Sequence, residues 1–157
     1  MIAADIMTKS VICVRPPTPV SEIAALLLKN KISAVPVIDD DGHVVGVVSE
    51  DDLLRRRAAK RGSWWLSFLA SGRPELGEIV KARDLTADQV MTRHVITTRE
   101  SAPPDVVAGL LRRYGIKRIP VVRRNKLVGI ISRVDLLNAL FQGKKEGARR
   151  ATLPSRT

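Results

Sequence analysis

The sequence predicts an α+β fold made of two tandem β-α-β-β-α repeats. Two nearly identical decapeptides indicate the duplication: VGVVSEDDLL at residues 45–54 and VGIISRVDLL at residues 128–137. Each one joins a hydrophobic, strand-like run to a Leu-Leu helix start through a Ser-x-x-Asp motif. The rest of the unit repeats as well, which indicates that one folding unit is used twice.

The two copies align at an offset of 84 residues over most of their length. The offset falls to 83 after the turn DDDGH, because the second copy has the shorter turn RRNK. The matched pairs are Met7-Thr8 with Met91-Thr92, Pro36-Val37 with Pro120-Val121, Ser49 with Ser132, and Asp52 with Asp135.

Each repeat has the order strand, helix, strand, strand, helix. VICV and VITT are short β-branched runs bounded by turn formers, which is typical of strands. A helical spacing of apolar residues follows in PVSEIAALLLKN and again at Val107, Leu110, Leu111 and Tyr114. Proline begins both helices, where its missing N–H is tolerated. The remaining strands are AVPVI and HVVGVVS in the first copy, and IPVV and KLVGIIS in the second.

The strands AVPVI and IPVV are almost wholly aliphatic, which predicts burial by helices on one face and by the sister repeat on the other. Pro36 and Pro120 cannot donate to a ladder, so we expect them at strand starts or on a sheet edge. Gly46 and Gly129 interrupt the strand before each Ser-x-x-Asp motif and would permit close backbone approach of a ligand.

Composition and charge restrict the class of protein. The sequence has neither a leader-like start nor about 18 consecutive apolar residues, so we expect a soluble cytoplasmic protein. The single Cys13 excludes an intramolecular disulfide and fits a reducing compartment. The net charge is +11, although residues 1–54 alone stand at −4. Such a basic surplus favours anionic partners: nucleotides, nucleic acid or a membrane surface.

The residue patterns of an enzyme are not found in the sequence. His43 and His94 are isolated from Cys13 and from each other, so neither a zinc site nor a nucleophilic triad is indicated. The run DDDG at residues 39–42 lacks the spaced ligands of a calcium loop and predicts a polar turn. We therefore expect no enzymatic activity, no metal and no obligatory cofactor.

The Ser-x-x-Asp motif has two compatible interpretations. A Ser followed three positions later by an acidic residue, at a helix start, is close to a capping box. A helix start also offers unpaired N–H groups to phosphate, and a carboxylate can accept hydrogen bonds from both hydroxyls of a ribose. Capping in an empty site does not exclude binding in an occupied one.

On these residues the chain resembles a tandem pair of CBS domains, also called a Bateman module. The matching segments are MTKSVICV, SAVPVIDDDGHVVGVVSEDDLL, MTRHVITT and KRIPVVRRNKLVGIISRVDLL. The predicted domains are CBS repeat 1 at 2–56, a Trp-containing helical linker at 57–85, CBS repeat 2 at 86–141 and a basic disordered tail at 142–157. The resemblance implies that the repeats pack sheet-to-sheet with pseudo-twofold symmetry and leave two clefts between them.

The resemblance also implies a regulatory ligand for these clefts: AMP, ADP or ATP, or else NAD or S-adenosylmethionine. The Ser and Asp of one repeat are expected to face the first strand and the x-x-Pro segment of the other. Aliphatic side chains would sandwich the adenine, Asp would hold the ribose, and polar or basic side chains would reach phosphate. The implied nucleotide-binding residues are Ile12, Ile32, Ser33, Ala34 and Pro36 with Ser132, Arg133 and Asp135, and Ile96, Ile116, Lys117, Arg118 and Pro120 with Ser49 and Asp52.

The two clefts are expected to differ in charge. Lys117 and Arg118 would give the Asp52 cleft two cations suited to phosphate, although Glu50 and Asp51 would partly cancel them. We therefore expect both clefts to bind, with a slight preference for the Asp52 cleft.

The linker holds three of the chain's five aromatic residues: Trp64, Trp65 and Phe68. Together with Leu69 they are expected to pack on the module or on a second copy, since such modules commonly form homodimers. The alternative is a basic scaffold protein whose clefts stay empty and whose Trp64-Trp65 segment binds nucleic acid or a membrane surface. The expected partners are an adenosine-containing small molecule, a second copy of the chain and a target protein.

Overall fold

The computed structural model describes residues 1–53 and 85–150, with side chains described as far as residue 141. The predicted α+β class is confirmed. Trp64, Trp65, Phe68 and Leu69, and with them the predicted dimer contacts, lie outside the described residues.

In chain order the elements are α1 (Ala3–Ile6), α2 (Val20–Asn30), β1 (Ala34–Ile38), β2 (Val44–Ser49), α3 (Ala87–Val90), β3 (Thr98–Arg99), α4 (Pro104–Arg113), β4 (Arg118–Arg123), β5 (Lys126–Ser132) and α5 (Arg133–Arg150).

Helices follow the last strand of each repeat, as predicted. Residues 50–53 are helical after β2, and α5 follows β5. The backbone of α5 continues to Arg150, into the segment that was expected to be disordered. No helix within the described ranges combines the length and the apolar character needed to cross a membrane.

The strands of the first repeat form an antiparallel hairpin. β1 pairs with β2 in a register that sets Ala34 opposite Ser49 and Val37 opposite Gly46. The predicted first strand VICV contributes a single parallel bridge, from Val14 to Val37. In the second repeat the corresponding residues form β3, which pairs in parallel with β4 in a sheet of order β3-β4-β5.

Pro36 and Pro120 lie at the third residue of β1 and of β4, so neither is at a strand start. The alternative prediction, a sheet edge, is met by Pro36, because β1 is an edge strand of its two-stranded sheet, but not by Pro120, because β4 is the central strand of its sheet. Val14 N–H donates to the Pro36 carbonyl at 3.0 Å, so the side of Pro36 that lacks an N–H faces the first strand. Proline has no N–H to donate to the first strand. The parallel pairing between the first strand and the strand that contains the proline is therefore confined to residues that follow the proline. This explains why the first strands are so short in both repeats.

The chain divides into two compact units, each of which combines one repeat with the opening segment of the other. The first unit contains Met1–Val11, Ile96–Arg123 and the described residues from Val128 onward. The second unit contains the described residues of Ile12–Val95 together with Arg124–Leu127. The opening segments of the two repeats are thus exchanged.

In the first unit, α1 is attached to the turn before α4. Ala3 N–H donates to the Ala102 carbonyl at 2.8 Å, and Ala4 N–H donates to the Glu100 carbonyl at 3.0 Å. Thr8, just beyond α1, forms an antiparallel bridge with Ile130 of β5. The core of this unit consists of Ala3, Val107, Leu111, Ile119, Val121, Ile131 and Leu136.

In the second unit, α3 occupies the corresponding place. Ala87 N–H donates to the Thr18 carbonyl at 2.8 Å, and Thr92 bridges Val47 of β2. Ile23 and Leu27 of α2 are buried, as the helical spacing predicts. The core comprises Val14, Val20, Ile23, Leu27, Val35, Val37, Val48, Ala87, Val90 and Met91.

Candidate functional site

Both Ser-x-x-Asp motifs form reciprocal helix caps. In the second repeat, the backbone N–H and the hydroxyl of Ser132 donate to Asp135 Oδ2 at 2.7 and 2.6 Å. Asp135 N–H in turn donates to Ser132 Oγ at 3.2 Å. Ser49 and Asp52 repeat this geometry at 2.8, 2.9 and 3.2 Å. The predicted capping interpretation is confirmed, and each Asp carboxylate is held in one orientation by two donors.

Each motif lies beside the x-x-Pro segment of its own repeat. Glu50 N–H donates to the Ser33 carbonyl at 2.9 Å, and Arg133 N–H donates to the Lys117 carbonyl at 3.1 Å. Two strands joined by a short turn set the start of one strand opposite the end of the other, which explains these contacts. The pairing of each motif with the segment of the other repeat, which the resemblance implies, stays a prediction from the sequence.

The structure gathers the predicted site residues into two groups, one in each unit. The second unit holds Ile12, Ile32, Ser33, Ala34, Pro36, Ser49 and Asp52, and the first unit holds Ile96, Ile116, Lys117, Arg118, Pro120, Ser132, Arg133 and Asp135. Four isoleucines, predicted to contact adenine, are partly buried: Ile12 and Ile32 pack against the core of the second unit, and Ile96 and Ile116 against that of the first. Both prolines are buried.

Thr92 is a site residue that the sequence interpretation missed. Its hydroxyl donates to Asp52 Oδ1 at 3.2 Å, from the opening segment of the second repeat. Thr92 is placed there by two backbone hydrogen bonds with Val47, at 2.9 and 3.1 Å. The repetition of the Met-Thr dipeptide in both repeats could have indicated this role for Thr92. Thr8 of the first dipeptide exchanges the same two backbone hydrogen bonds with Ile130, at 2.9 and 3.0 Å.

Gly46 and Gly129 accommodate methionines of the exchanged segments. A Cβ at Gly46 would lie 2.8 Å from Met91 Cγ, and one at Gly129 would lie 2.8 Å from Met7 Cγ. Close approach at both glycines was predicted, and the structure shows it for a methionine side chain; the approach of a ligand stays a prediction. The dipeptide Met-Thr and the motif Gly-x-x-Ser-x-x-Asp therefore form one interlocked arrangement in each unit.

Asp39, Asp41 and His43 offer ligand atoms that lie within 4.8 Å of one another. Asp39 Oδ1 accepts hydrogen bonds from the backbone N–H groups of Asp41 and His43, at 3.0 and 2.8 Å. The bond from His43 N–H is the main reason why the pKa of Asp39 lies below its ordinary value. The cluster thus closes the hairpin turn, which was the predicted role of this run.

Two repeats of this topology, each with a Ser-x-x-Asp cap after its last strand, make the chain a tandem duplication of one α+β unit. The sequence pattern of the CBS domain matches residues 3–59 and 83–142. The chain belongs to the CBS domain family, which confirms the resemblance that the repeats indicated.

Solved CBS domain pairs share this fold over nearly their whole length. CBSX2 of Arabidopsis thaliana, solved in complex with AMP, is 32% identical with a TM-score of 0.72, and the match covers 91% of this chain and 98% of that one. The CBS domain pair of protein MJ0100, in complex with 5′-methylthioadenosine and S-adenosyl-L-methionine, is 29% identical with a TM-score of 0.67, and the match covers 92% and 98%.

A longer relative contains this module as one part. The chain is 29% identical over 145 residues to an L-aspartate semialdehyde sulfurtransferase of Methanocaldococcus jannaschii. That match covers 92% of this chain but only 24% of the enzyme.

Proposed function

We propose that this chain is a regulatory ligand-sensing module, not an enzyme, and that it binds an adenosine nucleotide of the AMP, ADP or ATP class at its two Ser-x-x-Asp sites. The observation that carries the proposal is the carboxylate of each motif, fixed by the Ser beside it. Asp135 Oδ1 accepts no hydrogen bond from any residue in the described part of the chain. It therefore keeps the capacity to accept hydrogen bonds from ribose hydroxyls.

The ligands of the related structures support this choice of chemistry. CBSX2 is bound to AMP, and the MJ0100 pair is bound to 5′-methylthioadenosine and S-adenosyl-L-methionine. These three molecules share an adenosine group and differ in what the 5′ carbon carries. Adenosine recognition by the aliphatic side chains and the Asp is therefore the common element, and no obligatory cofactor enters the proposal.

Regulation would follow from differential affinity. A ligand that binds one arrangement of the repeats more tightly shifts the population toward it, and a target protein or a second copy of the chain would read that shift. Homodimer formation is supported by the exposed apolar side chains of α5: Val134, Leu137 and Phe141 are 62%, 53% and 67% exposed. Clefts between the repeats and a cytoplasmic location stay predictions from the sequence.

Thermal unfolding of the full chain tests the proposal with AMP, ADP, ATP, NAD and S-adenosylmethionine. A ligand at a hundred times its Kd adds about 2.7 kcal/mol, which raises the Tm by about 5 °C or more in a protein of this size. Asp52→Ala or Asp135→Ala should reduce that shift. Asp105→Ala, which removes an exposed carboxylate from the first turn of α4, should leave it unchanged.

The same samples in light scattering report whether the mass is that of one chain or two, with and without ligand. The absence of a Tm shift with all five ligands would refute the proposal and leave the motifs as helix caps. An undiminished shift in the Asp52→Ala/Asp135→Ala double variant would refute the assigned sites.

A further inference from the structure

The second repeat exposes apolar side chains on two helices of the first unit. α4 and α5 both belong to that unit and pack against each other. On α5 the exposed side chains of Val134, Leu137 and Phe141 recur at helical spacing, so they form one stripe along the helix. Val106 and Tyr114 of α4 are also about half exposed, at 49% and 48%. Exposed apolar side chains grouped in this way mark a surface that another molecule covers.

The duplication provides an internal comparison for this face. Three positions that are apolar in the second repeat are polar or charged, and exposed, in the first. The pairs, second repeat before first, are Val106 and Glu22, Tyr114 and Asn30, and Val134 and Asp51. One pair is reversed, because Leu28 of α2 is 50% exposed and corresponds to Arg112 of α4. Since charged side chains are depleted from the centre of an interface, the face of the second repeat is the better contact surface within the described residues.

The arrangement of side chains fits a second copy of the same face. In an isologous contact, a residue of one copy meets a different residue of the other copy, and the pairing occurs twice. If α5 crosses its symmetry mate in antiparallel direction near Leu137, the smaller Val134 of each copy meets the larger Phe141 of the other. The same symmetry brings the first turn of α4, which holds Asp105, toward the last turn of the other α4, which holds Arg112. Opposite charges at the rim of a contact favour one register.

We propose that the chain forms a homodimer through this face of the second repeat, and that ligand binding at Asp135 is linked to dimer formation through α5. The linkage rests on the proposed function, since it needs a ligand at Asp135. Val134 lies between Ser132 and Asp135, whose reciprocal hydrogen bonds hold the first turn of α5. A ligand that binds the Asp135 carboxylate adds a restraint to the same turn that carries Val134 into the contact. In the first repeat Asp51 stands at the corresponding place, so a ligand at Asp52 has no such path to the dimer.

The expected direction is a tighter dimer in the presence of ligand. A turn that is already held by ligand hydrogen bonds loses less freedom when the second copy binds. Such linkage is reciprocal, because a ligand that tightens the dimer is itself bound more tightly by the dimer. Coupling between two sites of a protein typically amounts to about 5- to 150-fold in affinity, so AMP should lower the dimer Kd about fivefold or more.

Sedimentation equilibrium of the full chain, with and without saturating AMP, measures the dimer Kd. Leu137→Asp should weaken the dimer about tenfold or more, because the symmetry brings the new charge into the contact twice. Val134→Asp introduces the residue type of the first repeat and should have the same effect. Leu28→Asp is the matched control with no expected effect, because Leu28 is 50% exposed, close to the 53% of Leu137, but lies on α2 of the first repeat. All three side chains are exposed, so the Tm of each variant should stay near that of the wild type and report that it is folded.

The variants of the two motifs test the linkage. Asp135→Ala should remove the effect of AMP on the dimer Kd, and Asp52→Ala should preserve it. AMP that raises the Tm of the wild type without changing the dimer Kd would overturn the linkage and leave the proposed function intact. The reverse pattern, with the effect lost in Asp52→Ala and kept in Asp135→Ala, would overturn it too. If none of the five adenosine ligands raises the Tm, the proposed function fails and the linkage fails with it, whereas the dimer is still measured independently.

The dimer contact itself has separate refuting outcomes. A wild-type chain that is monomeric at every concentration would overturn it, and so would a Leu137→Asp variant that dimerises as tightly as Leu28→Asp. A monomeric wild type that binds phosphatidylglycerol vesicles, with the binding lost in Leu137→Asp, would assign the face to a membrane surface and overturn the dimer as well.

Discussion

The substitution Gly46→Ala tests the packing that holds the exchanged segment against the site. A methyl group at residue 46 would lie 2.8 Å from Met91 Cγ and 3.0 Å from Met91 Cβ. Carbon atoms in favourable contact are about 3.5–4.0 Å apart, so two successive atoms of Met91 would overlap with it. Rotation of the side chain relieves the clash at Cγ but not at Cβ, because Cβ is fixed to the backbone. The backbone of the segment must therefore move.

The expected cost combines two opposing effects. Overpacking of this kind lowers the free energy of unfolding by about 1–3 kcal/mol, and the contact with Cβ favours the upper half of that range. Replacement of glycine by alanine also restricts the unfolded chain, which stabilises by about 0.4–1 kcal/mol where the backbone conformation allows it. The net loss for Gly46→Ala should therefore be about 1–2.5 kcal/mol.

Urea unfolding at 25 °C measures this loss, and Gly109→Ala is the control. Gly109 lies within α4 with nothing within 4 Å of an added Cβ, so alanine there should raise the free energy of unfolding by about 0.5–1 kcal/mol. In the double variant Gly46→Ala/Met91→Ala the new methyl occupies space that the methionine vacates. The double variant should then be about 1 kcal/mol more stable than the sum of the two single losses. Additive losses, or a neutral Gly46→Ala, would refute the reasoning.

Two further substitutions test contacts that support the two sites. Thr92→Val removes the hydroxyl bonded to Asp52 and should lower the free energy of unfolding, measured in urea, by about 0.5–1 kcal/mol. Thr8→Val should lower the free energy of unfolding by less. Equal decreases in the two variants would contradict the role of the bond between Thr92 and Asp52. Arg123 donates to both carboxylate oxygens of Glu100 at 2.6 and 2.7 Å, which holds the pKa of Glu100 below its ordinary value. The folded pKa is depressed, so this stabilisation is present at neutral pH and is lost as the pH falls through the folded pKa. Glu100→Gln should lower the free energy of unfolding at pH 7 and reduce the further decrease that occurs as the pH falls below about 4. Urea unfolding at a series of pH values measures both effects. A variant whose free energy of unfolding falls with pH as steeply as that of the wild type would argue against the ion pair.

Most strands and the longer helices were predictable because the pattern of a few consecutive residues indicates them. AVPVI becomes β1 without a residue of difference, and KLVGIIS becomes β5. The helical spacing of apolar residues located both α2 and α4. Tyr114, however, was predicted on the buried face of α4 and is 48% exposed at the C-cap of that helix. Because a four-residue helix shows no periodicity, neither α1 nor α3 was predicted.

The exchange of opening segments could not be predicted from local patterns. It depends on pairings across the whole chain, such as Thr8 with Ile130. The register of the first hairpin could be predicted only in part. Counting outward from the turn at residues 39–43 sets Ala34 opposite Val48, but an irregularity in the ladder between Val37 and Ile38 shifts the register by one residue, so that Ala34 lies opposite Ser49. The pairing of each Ser-x-x-Asp motif with the x-x-Pro segment of the other repeat, which the resemblance to a known family implies, stays a prediction.

The duplication separates the residues that hold each Ser-x-x-Asp cap together from those that vary between the two repeats. The residues that are identical in both repeats, Met-Thr, Gly, Ser and Asp, are those whose contacts hold the site together: the methionine on the glycine and the reciprocal cap. The residues that differ, Arg133 and Glu50 above all, join the site through backbone N–H groups and keep their charges in solvent. Any side chain can make that backbone bond, so the charge of a site can change without loss of its cap. It follows that exchanging Arg133 and Glu50 should leave the free energy of unfolding in urea within about 0.5 kcal/mol of its original value, as for other surface substitutions. A larger loss would show that these two side chains help to hold the caps.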